Sequence, residues 1–533
     1  MNTTETLIPR PLHVNALGGE PFELTPASRI VATDDAVPVA GQLASILRRG
    51  TGFGLPLSTE FRPGDIALEF SKTPDGGPEA YALTVTDAGA RLRASTPAGL
   101  FNGIQTLRQL FAPSIERSLT ESPESTDAGA GHGTWPIPAV EIHDAPRFAY
   151  RSLMLDVARS FFTVDEVKEQ IDVMAQFKLN ALHLHLTDDQ AWRIEIHQPA
   201  NNPSGLDYGN LTAIGGAVNH PGVGLTPGHT GFYTQQNFRD IQAYAAARNI
   251  TVVPEIDLPG HVNAALAAIP QLNPDGAAKA MNTTGEVGYS TLTADLPATY
   301  EFVTEVLGQV AAMTDGPYIH IGGDEAHVTG HDNYVAMVRE FARIGSATGK
   351  TVVGWNEYAD VDLPAGSVVQ YWWGDLAPVV RQAKNGGSQV IMSPAANTYL
   401  DQKYGPESPI GLSWVEGGPF TWAEYYDWNP VQGGLEDTHI LGVEGPLWTE
   451  TVRGNQQAFW LMYPRAISLA EVGWTQQEGR SLDNFRGRLG AFGERLANQG
   501  VAFQAAPDVE WSARPAEPFT EPNRTPEYGT IEA

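Results

Sequence analysis

The chain has 533 residues, which is too long for one ordinary domain, and 42% of them are hydrophobic, enough for a large core. The formal charge of −29 argues against nucleic acid and anionic membranes as partners, because both need a basic protein surface. The absence of cysteine excludes disulfides, cysteine nucleophiles and thiolate metal ligands. No apolar run approaches the ~20 residues of a membrane span. The first residues lack a leader pattern, so we expect a soluble cytoplasmic protein, although a secreted protein with its leader removed would look the same.

The first part of the chain mixes strand and helix patterns. Apolar residues alternate over residues 65–70 and 82–86, which predicts strands, and recur at helical spacing over residues 99–107. Residues 1–145 are therefore predicted to form a small α+β domain. Ser, Glu, Gly and Pro dominate residues 118–133, which predicts a flexible segment at about residues 115–135.

From about residue 149, strand patterns alternate with amphipathic helices. One helix is predicted to begin with a capping box formed by Thr163 and Glu166. Eight strands separated by helices are typical of a (β/α)8 TIM barrel with insertions. We assign the barrel to residues 146–505 and a C-terminal extension to residues 506–533. The strands are predicted at residues 153–157, 181–186, 250–254, 319–321, 351–354, 368–372, 390–392 and 441–443.

The most informative segment is Gly322-Gly323-Asp324-Glu325, directly after the fourth predicted strand. Glycine adopts unusual dihedral angles and lets other groups approach closely. Two acids at the end of a buried strand are costly to desolvate unless their charge is used. We therefore interpret the segment as a catalytic strand end rather than a simple capped loop. The other strand ends carry an arginine, tryptophans and carboxylates such as Glu255, a combination that binds sugar hydroxyls and stacks on a pyranose.

Three of the histidines on or beside the predicted strands call for an interpretation. His183 and His185 alternate within the second strand and would point to the same side. We favour hydrogen-bonded histidines inside the barrel over a metal pair, because no third ligand at metal spacing is evident. His261 follows the third strand, and we expect it to support the site beside an acid. No metal ion or organic cofactor is predicted.

Eight segments in order over roughly residues 145–500 resemble the β-N-acetylhexosaminidases of glycoside hydrolase family 20. The N-terminal part, ending in residues 105–110, resembles that family's non-catalytic α/β domain. Ser152, Ser160 and Ala191 stand where members commonly have Gly, His and Gly, but none of these is a carboxylate or aromatic position of the motifs. The resembling segments are residues 155–159, 183–190, 254–261, 320–325, 353–355, 370–372, 398–401 and 447–450.

The resemblance implies an exo-acting retaining enzyme that removes terminal β-linked GlcNAc or GalNAc through an oxazolinium intermediate, formed by the substrate's own 2-acetamido group. Glu325 would be the general acid/base, and Asp324 would hold the acetamido N–H. Tyr399 would donate a hydrogen bond to the acetamido carbonyl, while Asp188 and His261 would support Glu325. The residues expected to bind the sugar are Arg159, Trp355, Trp372, Asp401, Trp414, Trp448 and Glu450.

Three alternatives stay open at this point. A family member that releases a disaccharide such as lacto-N-biose would need a deeper pocket. A retaining glucosidase would use Glu325 with a second carboxylate as its nucleophile. A catalytically silent carbohydrate-binding protein is disfavoured, because Asp324, Glu325 and Tyr399 are all present. The sequence carries no signal for the oligomeric state or for a preference between GlcNAc and GalNAc.

Overall fold

The computed structural model describes residues 3–71, 76–119, 133–216, 229–282, 284–418, 420–515 and 519. These residues form an N-terminal domain with a mixed β-sheet, followed by a closed barrel of eight parallel strands. The predicted α+β domain and TIM barrel are thereby confirmed. Among the described residues, no helix has the length and apolar character needed to cross a membrane.

The N-terminal domain consists of one main sheet with helices packed on it. Its elements are β1 His13–Ala16, β2 Phe22–Leu24, β3 Ile30–Val31, α1 Val37–Thr51, β4 Leu57–Ser58, β5 Asp65–Phe70, β6 Tyr81–Thr86, β7 Gly89–Ala94, α2 Pro97–Leu110, β8 Trp135–Ile137 and β9 Val140–Asp144. The main sheet has the order β1-β9-β6-β7-β5-β3-β4, antiparallel from β1 to β7 and parallel from there to β4, and β2 pairs with β8. Helix α2 packs on β6 and β7 through buried leucines and Ile104.

The barrel follows without a break. Its elements are β10 Tyr150–Asp156, α3 Val164–Gln176, β11 Ala181–His185, α4 Gln235–Ala246, β12 Thr251–Glu255, α5 Asn263–Ala268, α6 Pro297–Met313, β13 Tyr318–His320, α7 His331–Ala347, β14 Thr351–Trp355, β15 Val368–Tyr371, α8 Ala377–Arg381, β16 Gln389–Met392, α9 Ala395–Thr398, β17 Ile440–Leu447, α10 Asn455–Met462, α11 Arg465–Trp474 and α12 Leu482–Gln499. Pairing of β10 with β17 closes it. All eight predicted strands are present, and β17 is longer than predicted because residues 444–447 continue the pairing with β10.

The capping box predicted for α3 is confirmed. The Thr163 hydroxyl oxygen accepts from the Glu166 backbone N–H at 3.3 Å, and the Glu166 carboxylate accepts from the Thr163 N–H at 2.8 Å. Val167, Ile171 and Met174 lie on the buried face of the helix. The cap fixes where the helix begins, and thus the length of the loop that leaves the carboxyl end of β10.

Part of the predicted flexible segment lies outside the described residues, namely 120–132. The residues before it are held by buried contacts. Glu116 accepts from Arg108 Nε at 3.0 Å and from Arg495 Nη1 of α12 at 3.2 Å. After it, Trp135 begins β8. The described flanks of this segment are therefore ordered by ion pairing and strand pairing.

The predicted C-terminal extension is described up to residue 515 and at residue 519. Ala506 and Val509 are buried, and the ring of Trp511 lies 4.7 Å from that of Phe503. The described start of the extension is thus packed on the barrel. The domain boundaries at residues 145 and 505 stay predictions.

Buried polar contacts join the N-terminal domain to the barrel. Lys178, between α3 and β11, lies with its Nζ 2.9 Å from Asp144 of β9 and 2.9 Å from the Tyr81 hydroxyl. The Lys178 and Asp144 side chains are 1% and 0% exposed. Trp474 donates its indole N–H to Asp144 at 3.0 Å. A buried charge that loses its partner has neither water nor a counter-ion, so this interface depends on both members of the pair.

Replacing Asp144 with Ala is expected to lower the free energy of unfolding by about 3–5 kcal/mol, because Lys178 would stay buried without its counter-ion. Denaturant unfolding followed by tryptophan fluorescence would measure the change. Glu340→Ala is the control, since it removes an exposed ion pair with Arg343 on α7 and should cost about 1 kcal/mol or less. Equal losses in the two variants would contradict the interpretation.

Candidate active site

The loop after β13 brings Asp324 and Glu325 to the carboxyl-terminal mouth of the barrel. Gly322 and Gly323, which precede them, have φ angles of 68° and 111°. A Cβ atom on Gly322 would lie 1.7 Å from Oδ1 of Asp257, so only glycine fits there. Glu325 itself has a φ of 44°, which is strained for a residue with a Cβ. Strain of this kind is concentrated at functional sites.

His261 connects the two acids to Asp188. Its Nδ1 lies 3.1 Å from Asp188 Oδ1. Its Nε2 lies 3.3 Å from Glu325 Oε2 and 3.7 Å from Asp324 Oδ2. Burial opposes ionisation of the ring, but the surrounding carboxylates, with Asp188 the strongest, raise the pKa of His261 well above its usual value. The imidazole is therefore cationic beside the acidic pair.

Arg159, in the loop after β10, lies on the other side of Asp188. Its Nη2 is 2.7 Å from Asp188 Oδ2, its Nε donates to Gln190 Oε1 at 2.8 Å, and its guanidinium lies 5.0 Å from the Trp448 ring centroid. Burial alone would raise the pKa of Asp188, but Arg159 and His261 hold it well below the usual range. Gln190 was not predicted as a site residue. Its place in the same segment as Asp188 is the signal that could have identified it.

Several buried carboxylate oxygens in the described part of the mouth lack a protein hydrogen-bond partner, among them Asp324 Oδ1, Asp401 Oδ1 and Glu450 Oε2. The other oxygen of Asp401 accepts from Trp414 Nε1 at 3.2 Å. Burial raises the pKa of Asp401 to about 7, with Glu450 adding to the shift, and burial raises the pKa of Glu450 to about 6. An unsatisfied buried acceptor costs about 1–3 kcal/mol. Three of them in one mouth fit a ligand with several hydroxyl or amide donors.

Tyr399, just after α9, lies at the centre of an aromatic wall. Its ring stacks on Trp372 with centroids 6.0 Å apart and planes 22° apart. Trp414 and Trp448 lie 5.5 Å and 6.4 Å from it, and Trp355 lies 6.2 Å from Trp448. The structure thus brings together all five aromatic residues that the sequence predicts for the site. Beside the carboxylates, this wall provides flat apolar surfaces suited to a pyranose and an acyl group.

Below the mouth, the barrel core holds histidines paired with carboxylates. His185 Nδ1 bonds Glu255, and His183 Nδ1 lies 2.9 Å from Glu444. The prediction of hydrogen-bonded barrel histidines is confirmed.

The expectation that Glu255 belongs to the sugar pocket is wrong. Glu255 is fully buried in the core and accepts from Trp355 Nε1 at 2.9 Å, so it supports the pocket wall rather than lining the pocket. The inward direction of its side chain, set by the pleat of β12, was not read from the sequence.

Some of these core histidines and acids have ligand atoms within 4.8 Å of one another, close enough for a metal ion. Glu255, which belongs to two of these groups, already accepts from His185 and Trp355, and these contacts account for its place in the core without an ion. The absence of a metal from the site stays a prediction.

Glu357 is a site residue that the sequence reasoning missed. It lies in the turn after β14, half-buried, and Trp372 Nε1 donates to its two oxygens at 3.3 Å and 3.2 Å. Burial, then Asp324, raises the pKa of Glu357 to about 8. Its position two residues after Trp355 was the only available signal, and that position does not reveal its contact with Trp372.

Comparison with known proteins agrees with this geometry. Residues 148–342 and 329–477 match the family model of the glycosyl hydrolase family 20 catalytic domain, and residues 4–145 match that of domain 2 of the same family. A β-N-acetylhexosaminidase from Cellulomonas fimi is 38% identical over 515 residues, which cover 95% of this chain and 97% of the relative.

Solved structures give the same result. The N-acetyl-β-hexosaminidase of Streptomyces plicatus in complex with Thio-NAglucal is 40% identical, with a TM-score of 0.86 and coverage of 96% of this chain and 98% of the other. The β-N-acetylhexosaminidase of Streptomyces coelicolor A3(2) is 38% identical, with a TM-score of 0.85 and coverage of 96% and 99%. Family, domain order and fold therefore agree over nearly the whole chain, and the protein belongs to glycoside hydrolase family 20.

Proposed function

We propose that the protein is an exo-acting β-N-acetylhexosaminidase that removes terminal β-linked GlcNAc or GalNAc with retention of configuration. The observation that carries the proposal is the placement of Asp324 and Glu325 together beside the aromatic wall around Tyr399. A mutant of the similar Streptomyces plicatus β-hexosaminidase has been solved in complex with the product GlcNAc, which supports a carbohydrate substrate here.

The carboxylate oxygens without a protein partner and the guanidinium of Arg159 provide the groups that would bind the sugar. Arg159 and Glu450 would bind the 3- and 4-hydroxyls, and Asp401 with Trp414 the 4- or 6-hydroxyl side. Each hydroxyl can donate to an unpartnered carboxylate oxygen, while Arg159 donates to a hydroxyl oxygen. The ligand would thereby satisfy buried groups that the protein alone leaves unpaired.

The geometry of the acidic pair favours a nucleophile supplied by the substrate. A retaining enzyme with a protein nucleophile places its two carboxyl groups about 5–5.5 Å apart, flanking the scissile bond. Asp324 and Glu325 are consecutive, and their carboxylates lie 3.7 Å and 3.3 Å from the same atom, His261 Nε2, so we expect them to face the sugar from one side rather than to flank the scissile bond. Asp324 is suited to accept the acetamido N–H and to stabilise positive charge on its nitrogen, and Tyr399 to donate to its carbonyl oxygen.

In the first step the acetamido oxygen attacks the anomeric carbon, the glycosidic bond breaks, and Glu325 gives its proton to the leaving oxygen. The products are the free aglycone and an oxazolinium ion. In the second step Glu325 takes a proton from water, which attacks the anomeric carbon and restores the acetamido group. His261, held by Asp188, would orient Glu325 during both transfers. Holding the internal nucleophile in line supplies a large effective molarity.

Hydrolysis of nitrophenyl β-glycosides of GlcNAc, GalNAc and glucose tests the proposal. We expect release from the two N-acetylated sugars only, because the glucoside lacks the internal nucleophile. Glu325→Gln should reduce kcat by about 10²–10⁴-fold on the 4-nitrophenyl substrate. It should reduce the bond-cleavage rate less on the 2,4-dinitrophenyl substrate, whose leaving group needs no proton. Equal release from the glucoside would overturn the mechanism, and cleavage of only a lacto-N-biose glycoside would indicate the disaccharide-releasing alternative.

Tyr399→Phe removes one hydroxyl from the aromatic wall. We expect it to lower kcat by about 10²–10³-fold, because a donor aimed at charge developing in the transition state is lost. Binding of the product GlcNAc should change much less, and calorimetry would measure it. Unchanged kcat would show that the hydroxyl does not contact the acetamido oxygen.

The pH dependence of kcat/KM tests the role of Asp324. Burial raises the pKa of Asp324 to about 6, while His261 opposes the shift and Glu325 adds to it. The mechanism needs the ionised carboxylate, so kcat/KM should fall as the pH drops below about 6. The residual activity of Asp324→Asn should lack this acidic limb. If kcat/KM of the wild type does not fall down to pH 5, or if Asp324→Asn shows the same fall, the ionisation of Asp324 does not control the activity.

A further inference from the structure

The turn after β14, residues Asn356–Asp360, holds the residues that follow β15. Asn356 Oδ1 accepts from the backbone N–H of Trp372 at 2.9 Å and from that of Trp373 at 3.2 Å. Glu357 accepts the indole N–H of Trp372 on both carboxylate oxygens. The backbone and the ring of Trp372 are therefore fixed by two consecutive residues of one turn.

Trp372 in turn contacts the residues proposed to bind the acetamido group. Its ring stacks on Tyr399, and Trp414 meets it edge-on at 6.1 Å. The indole thus contacts both Glu357 and the tyrosine that the proposed mechanism aims at the acetamido carbonyl. A side chain in such a wall is precise only when its own partners lock it. Without the Glu357 contact, the indole would keep its stacking area but lose the hydrogen bond that fixes its rotation.

The surroundings of Glu357 are consistent with a neutral acceptor. Asp324 and Glu325 face it from the loop after β13, Tyr334 faces it from α7, and Asp360 belongs to its own turn. Since its pKa is raised to about 8, the carboxyl group is protonated at neutral pH and adds no second anion beside Asp324. A glutamine side chain closely matches this neutral form and still offers an oxygen to the indole N–H.

We propose that Glu357 is a positioning residue that sets the width of the acyl pocket, by holding Trp372 against Tyr399, and thereby decides which 2-acylamido groups the enzyme accepts. The inference rests on the proposed function, because it assumes that the aromatic wall receives the substrate's acetamido group. Glu357 itself takes no part in proton transfer in this proposal.

The test compares wild type, Glu357→Ala, Glu357→Gln and Asp360→Ala on 4-nitrophenyl glucosaminides carrying N-acetyl, N-propionyl or N-butyryl groups. In Glu357→Ala, kcat/KM for the N-acetyl substrate should fall about 10–100-fold, as expected for a misplaced reacting geometry. The ratio of N-propionyl to N-acetyl kcat/KM should rise several-fold. Glu357→Gln should restore most of the loss and the wild-type ratio. Asp360→Ala is the matched control in the same turn, because its side chain is exposed, and should behave like wild type.

Trp372→Phe keeps an aromatic ring but removes the N–H, so it should reproduce the change in ratio even if Glu357→Ala does not fold. An unchanged acyl ratio in Trp372→Phe and in folded Glu357→Ala would overturn the proposal, even if activity falls. A Gln variant as impaired as the Ala variant would overturn it too, since a proton or charge would then be required. Failure of wild type to cleave the N-acetyl substrate would instead refute the proposed function, so the two failures are distinguishable.

Discussion

The site depends on one buried carboxylate, that of Asp188. Its Oδ2 is 2.8 Å from His185 Nε2 and 2.7 Å from Arg159 Nη2, and its Oδ1 is 3.1 Å from His261 Nδ1. His185 belongs to the barrel core, Arg159 to the sugar-binding side and His261 to the acidic pair. A buried anion is tolerated only when its oxygens are paired and hydrogen-bonded. The partners of Asp188 come from strand β11, from the loop after β10 and from the loop after β12. Asp188 therefore fixes the positions of these three elements relative to one another.

The balance of charge in the mouth follows from the same constraint. Many carboxyl groups converge there, and they cannot all ionise in a low-dielectric environment. Arg159 and His261 keep Asp188 charged, whereas burial raises the pKa of Asp401 to about 7 and that of Glu357 to about 8. The mouth can therefore carry many oxygen acceptors for a polyhydroxyl ligand without accumulating repulsion. The pKa of Asp324 is raised only to about 6, so this carboxylate keeps its negative charge at neutral pH, where the proposed mechanism needs it.

The fold and the main site residues could be predicted because their signals are local. Eight buried-strand patterns and the capping box at Thr163 each depend on neighbouring residues, and the acids and tryptophans at strand ends meet because parallel strands share one mouth. Contacts set by side-chain direction were not predictable. Glu255 turns into the core instead of the pocket, and Glu357 meets an indole fifteen residues away in the chain. The buried pair of Lys178 and Asp144 depends on how two domains dock, which no local pattern encodes.

The domain interface has a consequence for how this architecture can be divided or recombined. Arg151, fully buried at the start of the barrel, pairs with Glu79 of the N-terminal domain at 2.6 Å, in addition to the Lys178 pair. A barrel separated from residues 4–145 would present two cations on an apolar surface with their counter-ions removed. The two domains are thus complementary halves of one electrostatic unit. When one domain is replaced by that of a homologous protein, the incoming domain must therefore supply the partner of each buried charge that stays in the other domain.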